Sequence, residues 1–132
     1  MKYLIIPFLL LISCQKQNIK TDLNQGVVAD CLDAWQDYES FEYRLQSKTR
    51  INTDLVILET EKYNTNSRLG SCFGRKGDGE MGTILVYPDA PEQVIIHELG
   101  HWLGYKHSTN SESIMFPYNY ASATNFIDLH KE

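Results

Sequence analysis

The sequence contains no apolar run of ~20 residues, the length a spanning helix needs, so no transmembrane helix is expected. It shows no internal repeat and no low-complexity tract, which excludes a disordered tail, a collagenous chain and a coiled-coil rod. Positive charge is sparse and scattered. Twelve Lys+Arg stand against 17 Asp+Glu, a net charge of -5, with no basic block able to neutralise a row of phosphates. Nucleic acid is therefore not an expected partner. What remains is an ordinary globular composition, 42% hydrophobic and 22% charged over 132 residues, enough for one domain with a small core.

The amino terminus has a different character. Lys2 precedes an apolar stretch from Tyr3 to Ile12, too short to span a bilayer but suited to an export signal. The stretch ends Leu11-Ile12-Ser13-Cys14, which resembles a bacterial lipobox, where cleavage precedes a cysteine that receives lipid. The expectation is a lipoprotein signal peptide over 1–13, lipidation at Cys14, a polar tether over 14–25 and a single folded domain over 26–132. An ordinary secretory signal cut nearby is the alternative. The expected location is the bacterial cell envelope, at the outer membrane or cell surface, with the membrane reached through Cys14. Cys31 and Cys72 then remain in an oxidising compartment, either bridged to each other or as two small buried side chains.

Along the mature chain, Val27, Val28, Cys31, Leu32 and Trp35 recur at helical spacing between Gly26 and Tyr38. Phe41, Tyr43 and Leu45 alternate with charged residues as in a half-buried strand. Asp54–Thr60 is a more central strand, and Leu69–Phe73 a short one. A turn over 74–80 (GRKGDGE) leads to a strand at Thr83–Tyr87. Pro91 suits the first turn of a helix carrying Ile95, Leu99 and Trp102 on one stripe to about Leu103. Tyr63–Ser67 reads as a loop, a short strand near Asn18–Leu23 is barely visible, and Ser122–Lys131 reads as a closing helix. The order is that of an α+β domain.

The informative segment is His97-Glu98-Leu99-Gly100-His101-Trp102-Leu103-Gly104-Tyr105-Lys106-His107. His97 and His101, four apart on a helix, project from one face and can share a metal. Glu98 lies beside that metal, placed to take a proton from water rather than to ligate. Gly104 permits a left-handed turn that brings His107 to the same point. Three neutral histidines with an open fourth position describe one catalytic Zn2+. Three of the four histidines fall in this motif, and such a match arises by chance in roughly one chain in 10⁵, so scattered surface histidines are a poor account of it. His130 stands apart and reads as solvated.

With these residues the sequence resembles the metzincin metalloendopeptidases, whose zinc motif is followed by a methionine turn beneath the metal. Ser113-Ile114-Met115-Phe116-Pro117 looks like that turn, with Met115 as its apolar floor. The resemblance is closer to the matrixin branch than to the astacin branch, which has a zinc-facing tyrosine where this chain has Pro117. It implies a minimal zincin-like catalytic domain: a small twisted mixed sheet, an active-site helix, a Met-turn and a short C-terminal helix. It implies that the strand before the last forms the sheet edge and binds substrate antiparallel through Leu69, Gly70, Ser71, Cys72 and Phe73. Pro117, Tyr118, Asn119 and Tyr120 would wall the pocket for the side chain after the cut bond.

There are departures from that family. Glu61–Val94 is short and lacks a His/Asp cluster for structural zinc or calcium, so Asp78 and Glu80 read as solvated. Cys31 lacks the flanking residues of a cysteine switch. The expected function is a zinc-dependent endopeptidase, a monomer acting on peptide or protein with Glu98 as general base. The alternative is a weakly active or inactive lipid-anchored zinc fold that holds peptides without cutting them.

Overall fold

A computed structural model of the protein describes residues 15–48, 52–61, 69–117 and 125–132. Its elements run β1 (Lys16–Thr21), α1 (Gln25–Gln36), β2 (Glu42–Gln46), β3 (Leu55–Glu59), β4 (Gly70–Phe73), β5 (Gly82–Val86) and α2 (Glu92–Trp102). The five strands form one sheet in the order β2-β1-β3-β5-β4. Neighbours from β2 to β5 are parallel, and β4 closes one edge antiparallel to β5. This is the mixed sheet with helices expected of a minimal zincin-like catalytic domain.

Each helix has a local cause. Asn24 caps α1, its side-chain oxygen accepting from the Val27 N–H at 3.1 Å. Val28, Cys31, Leu32 and Trp35 then fall on one buried stripe. In α2 the buried face carries Val94, Ile95, Leu99 and Trp102, but also the polar His97 and Glu98. Both helices pack on the sheet face that presents Ile19, Leu55, Ile57, Ile84 and Val86, forming one core. Among the described residues no helix packs on the opposite sheet face; Val56, buried there, is not part of that core.

Two expectations are corrected. Residues 16–21 are not a polar tether: β1 is an interior strand between β2 and β3, and only Gln15 separates it from Cys14. Ile19 and Thr21 are its buried side chains, and backbone ladders on both flanks hold it in place of apolar content. The closing helix is not formed in its described part. Residues 125–132 run extended, with bridges Ser113↔Asn125 and Tyr105↔Lys131, and Asp128 takes φ 53, which a helix excludes. Of the two alternatives left open for Cys31 and Cys72, the structure has them unbridged: Cys31 is buried on α1 and Cys72 half-buried on β4.

Among the described residues no helix is long and apolar enough to cross a membrane. The signal segment 1–13, Cys14, the loop 63–67 and the wall residues Tyr118, Asn119 and Tyr120 lie outside the described residues.

Candidate metal centre

His97 and His101 stand one turn apart on α2, and their Nε2 atoms lie 3.2 Å from each other. The other ring nitrogens are spoken for: Nδ1 of His97 is 2.7 Å from the Ile114 carbonyl, and Nδ1 of His101 is 2.9 Å from the Tyr105 carbonyl. A carbonyl only accepts, so each Nδ1 carries the proton and each Nε2 presents a lone pair. Two lone pairs aimed at one another repel unless a cation lies between them. Tetrahedral zinc with ~2.05 Å bonds sets its nitrogens about 3.3 Å apart, so the spacing fits that ion.

His107 completes the set. Its ring centroid is 5.3 Å from that of His97 and 4.7 Å from that of His101. One ligand atom from each of the three lies within 4.8 Å of the others. Gly104 ends the helix with φ 103, the left-handed turn that the spacing predicts, and the chain then returns toward the pair. Burial holds His97 and His101 neutral. Desolvation, reinforced by the other two histidines and partly opposed by the Ile114 bond, pushes His97 down to about 3. His101 is lowered chiefly by burial as well. Neutral imidazole is the metal-binding form.

The floor is Met115, fully buried. Ser113 Oγ accepts from the Met115 N–H at 3.1 Å, and the Met115 carbonyl accepts from Ser108 N–H at 3.0 Å, next to His107. Gly100 makes this approach possible. A Cβ there would lie 2.4 Å from the Met115 sulfur and 2.7 Å from the Trp35 ring. The sequence reading passed over Gly100, although a glycine in mid-helix is itself a signal of close packing.

The tail fastens the loop that carries His107. Lys106 N–H donates to the His130 carbonyl at 2.9 Å, and Glu132 N–H to the Gly104 carbonyl at 3.0 Å. Ser108 Oγ donates to Asp128, whose carboxyl that bond and His130 hold below the usual carboxylate range. His130, expected to be merely solvated, is exposed but partnered with Asp128 at 2.7 Å. Tyr105 stacks on Trp35 at 5.1 Å between centroids and donates to Glu39. None of these supports is visible from the zinc motif.

Glu98 is buried, 4% exposed, and lies against the edge strand. A Cβ on Gly70 would meet Glu98 Cγ at 3.2 Å and Val94 at 2.7 Å, so only glycine lets β4 come this close to α2. Cys72 follows on the same side. Burial and then the Glu98 charge push its thiol up to about 12. Of the other candidate substrate contacts, Leu69 and Ser71 are half-buried, Phe73 is exposed and Pro117 is half-buried. Among the described residues β4 has a neighbour on one side only, so its other side is an open edge there.

The matrixin family model matches residues 86–132. That match covers about a third of the chain. It spans α2, the three histidines, the methionine turn and the tail, the region whose geometry suits a metzincin zinc site. That match supports a metallopeptidase over this segment, with zinc as the implied ion. No curated protein matches the chain.

Proposed function

We propose that the protein is a zinc-dependent endopeptidase that binds an extended polypeptide along β4 and cuts it beside the histidine triad. The observation that carries this reading is the convergence of the His97 and His101 Nε2 atoms with His107, with Glu98 wedged between α2 and the open edge strand. His97, His101 and His107 would hold one Zn2+. Zinc bound there acidifies water toward pKa ~7 and polarises a peptide carbonyl.

The chain's own groups do the rest. The open side of β4 offers backbone donors and acceptors to an extended substrate with little regard to its sequence. Glu98 accepts the proton of the attacking water on its carboxylate as the new C–O bond forms. It then returns that proton to the departing amine as the C–N bond breaks. Its burial keeps the carboxylate away from bulk water and in place. Pro117, with 118–120 after it, would bound the pocket for the residue following the cut.

The same reading places the protein on a bacterial envelope, tethered by lipid on Cys14 and working as a monomer. The test is cleavage of an unfolded protein by the mature chain, run beside Glu98→Ala and beside a chelator. Loss in both arms is expected. Persistent cleavage in the Glu98→Ala arm removes Glu98 from its role, and zinc bound one per chain without any cleavage turns the reading toward a peptide-binding protein. Cys14→Ala is expected to move the protein from the membrane fraction to the soluble one, and a variant that stays with membranes refutes the anchor.

A further inference from the structure

The helix-free face of the sheet takes no part in that chemistry, yet it is not a uniformly polar surface. The registers align Gln46, Lys20, Val56, Thr83 and Phe73 in one row across all five strands. Side chains alternate along a strand, so Lys16 and Arg44 share this face with Phe73, opposite Ile19 and Leu55. Phe73 is 60% exposed, and Met81, just before β5, is 47% exposed. Lys16 and Arg44 are exposed on β1 and β2. Apolar side chains thus stand at one side of the face and cations at the other.

The chain's entry point lies at the same end. Gln15, Lys16, Asn18, Arg44, Asn52 and Asp54 line an open depression of about 410 Å³. Of the acids nearby, Asp54 already accepts from the Asn18 N–H at 2.7 Å, and Glu42 stands opposite Lys16 in the ladder. Cys14 is one Cα step of ~3.8 Å before Gln15. β1 begins at Lys16, two residues after Cys14 in the sequence.

We infer that this face is a bilayer-contact surface for anionic phospholipid, an inference that rests on the lipid anchor proposed at Cys14. Phe73 and Met81 enter the interfacial layer as apolar contacts, and Lys16, Lys20 and Arg44 meet headgroup phosphates. α2 packs on the opposite face, so the histidine triad is turned away from the lipid and the β4 edge is held beside the membrane surface.

The test uses the mature protein as cells process it. Its intact mass first reads whether Cys14 is acylated, which judges the anchor alone. Backbone hydrogen exchange is then followed in detergent micelles, on phosphatidylcholine vesicles and on vesicles that also contain phosphatidylglycerol. Exchange in 16–20 and 71–83 is expected to slow several-fold on the anionic vesicles relative to micelles, while α1 is unchanged. Phe73→Ser with Met81→Ser, and separately Lys16→Glu with Arg44→Glu, are expected to remove that slowing without lowering the melting temperature. Equal exchange on vesicles and in micelles overturns the inference. So does slowing that follows protein density rather than lipid charge, because the face then pairs two copies. An unmodified Cys14 with the same vesicle-dependent protection discards the anchor and keeps the surface.

Discussion

From Lys16 to Val86 the chain is held by ladders between five strands and by the apolar stripe of α1, whereas from Leu103 onward the described residues contain only turns and isolated bridges. The first region is redundant: each strand contributes several equivalent bonds, and loss of one leaves its neighbours in place. The second region hangs on single contacts such as Ser108 N–H to the Met115 carbonyl and Lys106 N–H to the His130 carbonyl. The chemistry sits where the structure is least repetitive. Regular elements repeat one geometry, while three ligands converging on a point need a helix followed by a chain that leaves the helical path.

That contrast can be broken at defined places. The largest effect is expected at Glu98: Glu98→Ala should lower turnover by about a thousandfold, within the range for a lost general base, with metal content and melting temperature kept. Steady-state kinetics beside zinc analysis would show it. Removing zinc comes next. At a free zinc concentration a hundred times its Kd, the ion adds about 2.7 kcal/mol, and chelation should remove this. Hydrogen exchange should then rise in 104–117 and stay level in α1, and a uniform rise would mean that the two regions unfold together.

Gly100→Ala joins the regions at their point of contact, because its Cβ would strike both Met115 and Trp35. A loss of about 1–3 kcal/mol in chemical denaturation is expected from such overpacking, together with weaker zinc binding as the methionine turn is displaced. Unaltered zinc affinity would show that the floor and the ligands are independent. The smallest effect belongs to the redundant region. Asn24→Ala removes the cap of α1 and should cost about 1 kcal/mol in the same experiment, leaving zinc affinity and turnover unchanged.

The cluster of His97, His101 and His107 was legible in the sequence because metal chemistry dictates both residue type and spacing. α1, α2 and the strands β2 to β5 were legible because their apolar residues repeat with the period of the element. β1 was hidden for the opposite reason: Ile19 is its one apolar side chain, and its place in the sheet is secured by backbone bonds that leave no mark on composition. The tail was read as a helix, whereas Phe126 and Leu129 pack against the core from residues 125–132, which form no helix. Which carbonyls orient His97 and His101 could not be read either. Any residue supplies a carbonyl, and so Ile114 and Tyr105 carry no signature of that role.

The length of β4 has a consequence of its own. An open sheet edge can template pairing with further copies of the same chain, the first step toward aggregation. β4 is only four residues long and is followed directly by the turn at Gly74, whose φ of 85 takes the backbone out of the extended path. A growing sheet would find too few bonds there to propagate, whereas a single extended segment, as in the proposed substrate, would need no more.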